Sequence, residues 1–118
     1  VGDRANFVFV QPGGNTIVLY GHWAGHNMLA NLAEAIAKAQ PRWNDPSYAT
    51  RIAISNMIGD SWTFETGWGL QVNTISDNEH KIPVIDWEQM TFVQQRCGYQ
   101  AFAQSLSKAA LLNSFRLC

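Results

Sequence analysis

Residues 5–10 (Ala-Asn-Phe-Val-Phe-Val) and 16–20 (Thr-Ile-Val-Leu-Tyr) are β-branched, aromatic or otherwise apolar at nearly every position. A strand that shows one face to water alternates with a period of two, and these runs do not. Between them lies Gln11-Pro12-Gly13-Gly14-Asn15, whose two glycines supply the backbone freedom that a hairpin loop needs. The pattern predicts a hairpin covered on both faces or placed centrally in a sheet. Everything else in the chain must then supply the cover. With 118 residues there is material for one small core and no second one, so 1–118 is read as a single domain.

Gly21-His22-Trp23-Ala24-Gly25 breaks the second run. A helix is expected after it, with Asn27 or a neighbour as N-cap and Met28, Leu29, Leu32, Ala33, Ile36 and Ala37 as its buried stripe, closed by Pro41. Asp45-Pro46 reads as N-cap and first helical residue of a second helix, because a proline there forgoes only an N–H that has no helical acceptor. That helix is expected to run to about Ile58, with Tyr48, Ile52 and Met57 inward and Gly59 just past its end. After a Trp-rich connection, residues 68–74 alternate, with Trp68, Leu70 and Val72 on one side and Gln71 and Asn73 on the other. Ser76-Asp77-Asn78-Glu79 is turn chemistry. Lys81–Asp86 reads as a strand with Pro83 at an edge or bulge, and a turn then leads into 90–93. Residues 97–117 read as a C-terminal helix with Phe102, Leu106, Ala109 and Phe115 near helical spacing. The expected class is α+β, an antiparallel sheet of about five strands backed by helices in the order β-β-α-α-β-β-β-α.

Apolar residues make up 47% of the chain, which excludes disorder, while charged residues are only 14%. The net charge of −1 argues against nucleic acid or an anionic membrane as partner, since both need clustered Lys and Arg. No apolar run approaches the roughly 20 residues of a membrane span. The opening Val1-Gly2-Asp3-Arg4 does not read as a signal peptide. Two cysteines, Cys97 and Cys118, make no disulfide framework, so the cytoplasm is the expected compartment.

No phosphate-binding loop, dinucleotide fingerprint, nucleophile elbow or metal-ligand spacing occurs, and neither a metal nor a cofactor is expected. Adjacent residues on the Asp77-Asn78-Glu79-His80 turn point in different directions, which suits a solvated turn better than a metal site. Several residues still carry chemistry. His22, between Gly21 and Trp23, is either a pocket residue able to act as a general base or a histidine satisfied at a strand-to-helix junction. Arg4, Arg42 and Arg51 sit among apolar and aromatic neighbours. They suit either a fork on phosphate or carboxylate, or ion pairs with Asp3, Asp45 or Glu65. Glu65-Thr66-Gly67-Trp68-Gly69 is either a rim that stacks on a planar base or a bulged start to a strand. Cys97 has no histidine near it in sequence. The C-terminal helix, carrying only Lys108 and Arg116 as charges from Tyr99 onward, either packs on the sheet or forms a homodimer interface.

Gly2-Asp3-Arg4-Ala5-Asn6, Leu19-Tyr20-Gly21-His22-Trp23-Ala24-Gly25 and the run Arg42–Ile52 resemble a family of small proteins from bacteriophages and actinobacteria. Glu65–Gly69, Asp77–His80 and Val84-Ile85-Asp86 continue the likeness, which covers about 2–93 and leaves the tail outside it. That family has no assigned activity, so the resemblance implies a phage or phage-derived origin and a host cytoplasm as its setting. The polar and aromatic residues of these motifs fall at element ends. Arg4, His22, Trp23, Arg42, Trp43, Tyr48, Arg51, Glu65 and Trp68 are therefore the expected lining of a ligand site, with Asp77 and His80 beside them. If they converge, they suit a planar anion such as a nucleotide, and the leading expectation is a non-catalytic protein that sequesters a nucleotide-like signal against host defence. A different class stands beside it, an inhibitor that docks a host enzyme through Trp- and Arg-rich surface. A small hydrolase using His22 as base with an acidic partner such as Glu65 is the third reading.

Overall fold

A computed structural model describes residues 2–94 and 96–104. The fold is α+β. The expected hairpin is formed by β1 (Ala5–Val10) and β2 (Thr16–Gly21), antiparallel, with Ala5 opposite Gly21 and Val10 opposite Thr16. β3 (Trp68–Val72) pairs antiparallel with β2. Three short strands follow, β4 (Val84–Asp86), β5 (Thr91–Phe92) and β6 (Cys97–Gly98), and the spatial order is β3-β2-β1-β4-β5-β6. The hairpin is thus central, as its unbroken apolar runs require.

Two features of the sheet depart from expectation. Among the described residues it has six strands, because Cys97-Gly98 extends it where a helix was expected to begin. It is also mixed, since β4 lies parallel to β1 with Val8 opposite Val84 and Val10 opposite Asp86. The path of residues 73–83 explains the direction. This segment, a strap, leaves β3 beside Thr16, descends past Asn6 to Arg4, reverses near His80, and then climbs beside β1, where Val8 N–H donates to the Pro83 carbonyl. Pro83 therefore sits just ahead of β4, where its missing N–H costs no ladder bond.

Helix α1 (Met28–Lys38) follows Asn27, which sits at φ 54° and makes no side-chain cap. Met28, Leu32, Ala33, Ala35 and Ile36 are its buried residues, so the stripe turns toward Ala35 and away from the exposed Ala37. A 3-10 turn (Gln40–Arg42) leads to α2 (Pro46–Ile58). There Asp45 is the N-cap, accepting from Tyr48 N–H, and Gly59 ends the helix at φ 59°. The inward face of α2 is Ala49, Thr50, Ala53, Ile54 and Ile58. Its small residues bring the helix close to its neighbours, which turns bulky Tyr48 outward and leaves Ile52 and Met57 only partly covered. Both helices share one core with Phe7, Phe9 and Leu19 of the hairpin.

A polar device closes the flank of β1 beside the strap. Asn6 is fully buried in an otherwise apolar strand. Its Nδ2 donates to the carbonyls of Ser76 (3.2 Å) and Asp77 (3.2 Å) and to Asn78 Oδ1 (3.0 Å), and its Oδ1 accepts from Ser76 N–H (3.2 Å). Asn78 Oδ1 also takes the Asn6 backbone N–H at 3.1 Å. Turn residues thus satisfy edge groups that β4 is too short to reach.

At the opposite end of β1 an aromatic group fills the core. Trp87 stacks on Phe9 and meets Tyr99 edge-on, and Tyr99 meets Trp43 in the same way. Phe102 stacks on Phe92. Burial, with Asp86 adding to it, pushes the Tyr99 phenol well above its ordinary range, and its hydroxyl has no hydrogen-bond partner among the described residues. Tyr99→Phe removes a buried polar atom that gains no hydrogen bond from them. It is expected to be neutral or stabilising by up to about 1 kcal/mol in urea denaturation. A loss larger than that would mean that the hydroxyl is satisfied in solution.

The C-terminal helical segment starts at Tyr99, and residues 99–104 are helical. Leu106, Ala109 and Phe115, with the homodimer face placed on them, lie outside the described residues.

Candidate functional site

The residues singled out in the sequence separate along β1, whose six residues span about 17 Å. At the Ala5 end are Arg4, His22, Trp23 and Trp68, with Glu65 two residues before Gly67, whose carbonyl accepts His22 N–H. At the Val10 end are Arg42, Trp43 and Tyr48, and Arg51 follows one turn along α2. One pocket lined by all of them is not formed.

The Ala5 end is held by ion pairs. Arg4 Nε lies 3.0 Å from Glu79 Oε1, and its Nη1 lies 3.4 Å from Asp77 Oδ2. His80 Nε2 sits 2.6 Å from Asp3 Oδ1. Gly25 passes so close to this pair that a Cβ there would collide with both side chains. The Asp77–His80 turn therefore serves as a clasp. Arg4 is the ion-paired arginine of the two readings, and its partners are the strap acids Asp77 and Glu79, where Asp3, Asp45 and Glu65 were the expected ones.

Glu79 accepts both the backbone N–H and the guanidinium of Arg4, and these bonds hold its carboxyl below the ordinary carboxylate value while raising that of Arg4. A depressed folded pKa adds stability that is present at neutral pH. That stability is lost as pH falls from the unfolded carboxylate range through the lower folded value. Acid is thus expected to loosen the strap, read as a lower protection factor (the slowing of exchange relative to a free peptide at the same pH) for the Asn6 and Glu79 amides. Glu79→Gln should remove this acid limb, and an unchanged profile would show that other carboxyls govern it.

His22 Nδ1 is 3.1 Å from the Tyr20 hydroxyl, and its ring meets Trp23 edge-on and lies against Gly2. Its backbone joins the loop to Asp3 and Gly67. No hydrogen bond or ion pair joins His22 to Glu65, an exposed residue beyond the 3-10 turn Gly59–Thr63.

Beside it lies the most exposed apolar surface of the described residues. Trp23 is 63% exposed and Phe64 67%, with Trp62 and Leu70 half exposed. Trp23, Phe64 and Trp68 line a hollow of about 340 Å³ that shares Ser61, Phe64 and Trp68 with a second one of about 190 Å³ reaching Ile58, Trp62 and Leu70. Gly67, at φ 100°, turns the chain so that Trp68 lands on Gly21, where a Cβ would strike its ring. Of the two readings of this motif, the turned start of a strand is present at Gly67 and not at Gly69. Of the other residues here, the sequence placed Leu70 and Val72 with Trp68 on one side of an alternating strand and left Trp62 and Phe64 in the Trp-rich connection before it, and none of the four was an expected site residue. Their signal was an aromatic run next to a glycine-flanked tryptophan with no second apolar element left to cover it.

At the Val10 end, Trp43, Asn44, Pro46, Trp87, Glu88 and Met90 line a cleft of about 450 Å³. Both indoles are almost fully buried, and Trp43 Nε1 donates to the Ile36 carbonyl at 2.9 Å, so Trp43 is mainly a packing residue. Arg42 places its guanidinium 5.1 Å over the Tyr48 ring, and Arg51 is exposed without an ion pair among the described residues. Cys97 is not a free thiol. No helix among the described residues is long and apolar enough to cross a membrane. The chain matches no protein-family model, no curated protein and no solved structure.

Proposed function

We propose that this chain is a non-catalytic binding protein that docks a protein partner through the aromatic surface at the Ala5 end of the sheet. The observation that carries the reading is the joint exposure of Trp23, Trp62 and Phe64 around the hollows that Trp68 floors, whose linings contain no charged side chain. Aromatic anchors surrounding a desolvated hollow are the usual energetic centre of a protein interface, and contiguous apolar surface of this kind is uncommon on a protein that acts alone. The phage origin implied by the sequence resemblance makes a host enzyme the partner class. The test is recovery of a partner from host cells by cross-linking at Thr66, an exposed residue on the rim of the same hollow. Phe64→Ala and Trp23→Ala are expected to weaken capture about tenfold or more each while leaving the melting transition in place, because both side chains are largely outside the core. Equal capture by the variants would overturn the reading.

A second reading is favoured by the Val10-end cleft, which is of ligand size and takes Trp43, Asn44 and Pro46 of its lining from between Arg42 and the Tyr48 ring that Arg42 covers. It is the sequestration of a planar anion such as a nucleotide. Heat denaturation of protein purified from its host would then release an intact nucleotide, and Arg42→Ala would abolish that release.

A further inference from the structure

We infer that the outer edge of β3 takes up an extended strand from the partner, one with apolar side chains at alternating positions and Lys or Arg at its flanks. This rests on the protein-docking reading above and specifies its geometry. Strand register decides which backbone groups are open. Asn73 N–H donates to the Thr16 carbonyl, and His22 N–H donates to the Gly67 carbonyl. In an antiparallel pair the residues facing the partner strand alternate with those facing away. Gly67, Gly69, Gln71 and Asn73 therefore address β2, and the N–H and C=O groups of Trp68, Leu70 and Val72 point out from the edge of the sheet. Among the described residues only the Val72 carbonyl is engaged there, by the Thr74 hydroxyl at 3.1 Å.

Such an edge is normally blunted by lysine, proline, an inward charge or a bulge, since an open row of backbone groups is a template for another strand. Residues 67–75 contain none of these residues. Leu70 and Val72 instead present side chains that are 52% and 65% exposed, on the same side of the sheet as the core residue Leu19. An added strand would pair with the open row and lay alternate side chains beside Leu70, Val72 and Phe64, the burial that strand addition supplies.

Charge selects among occupants. Residues 52–80 contain no Lys or Arg and four acids, of which Asp77 and Glu79 are taken by Arg4. Asp60 and Glu65, in the turn and loop that carry Trp62 and Phe64, have no ion pair among the described residues. A second copy meeting this edge through its own β3 would bring two more acids and no base to answer them. A partner strand with basic flanks is complementary.

The probe is a short blocked peptide that alternates Val and Thr between terminal lysines, added to the full chain and followed by amide exchange. Exchange at Leu70 and Val72 is expected to slow about tenfold at saturation, with Gly69 and Gln71 little changed because they are already bonded to β2. General tightening of the domain would move both sets. Leu70→Pro removes an outward donor without touching the β2 ladder, and Val72→Lys alters an exposed side chain only. Each should abolish the slowing, and a glutamate-flanked peptide should not produce it. The inference is overturned if the slowing is absent, if the acidic peptide matches the basic one, or if protection grows with protein concentration alone, which would make a second copy the occupant. If cross-linked capture fails with Phe64→Ala yet survives Leu70→Pro and Val72→Lys, strand addition is wrong while docking stands. If capture survives all three, both are wrong.

Discussion

Asn6→Asp is expected to destabilise the domain by about 4 kcal/mol at neutral pH, close to the effect of stranding a buried charge. The substitution changes almost no volume. It replaces an amide that donates to three oxygens, the carbonyls of Ser76 and Asp77 and the Asn78 side chain, with a carboxylate oxygen facing the same three. Asn6 is fully buried, so water offers no relief. The new carboxyl would take up a proton more readily in the folded state than in the unfolded one, because a protonated oxygen donates where a charged one repels. A raised folded pKa makes the variant regain stability as pH falls, the opposite sense to the Glu79 effect. Urea midpoints at neutral and mildly acidic pH test both parts. A loss below about 1 kcal/mol would mean that the strap is not held through Asn6 in solution.

Thr50→Val is expected to cost about 2–4 kcal/mol, although valine keeps the shape and the β-branch. The Thr50 hydroxyl, on the buried face of α2, accepts from Gln11 Nε2 and from Trp87 Nε1, both at 2.9 Å. It ties the hairpin loop, the helix and the residue after β4 to one atom. Gln11 keeps a weaker acceptor in the Phe9 carbonyl at 3.4 Å, but the almost wholly buried Trp87 indole is left with a bare N–H. Thr50→Ser, which retains the oxygen, should recover most of the loss. If Ser and Val behave alike in urea denaturation, the methyl group rather than the hydroxyl is what the site uses.

Local chemistry made part of this structure legible from residues alone. Asp45-Pro46 and Gly59 mark the limits of α2 because capping depends on neighbours in sequence. The hairpin is legible because ten or so apolar positions cannot face water. The direction of β4 is not legible, since three residues carry no sign of which way they run and the strap decides it. Asn6 does carry a signal in the sequence, a polar side chain of a type depleted from strands set inside an apolar one.

Among the candidate site residues, Trp23 and Trp68 do meet at one hollow, whereas Trp43 proves to be core. Tryptophans in a string look alike, and only the placement of the two helices separates the covered ones from the bare. The arginines show the same ambiguity. Arg4 is locked by acids more than seventy positions away, a pairing that no local pattern could indicate.

The strap has a consequence for how the chain is made. Asn6 waits for Ser76 and Asp3 for His80, contacts separated by 70 and 77 positions. Chains are synthesised from the N-terminus, and local contacts form before distant ones. The hairpin and both helices are therefore expected to assemble on the ribosome while the flank of β1 is still open, with an unsatisfied amide set among valines and phenylalanines. β1 leaves the ribosome some seventy residues before the strap that seals it, and for that interval a nascent chain has an adhesive edge that the strap later covers.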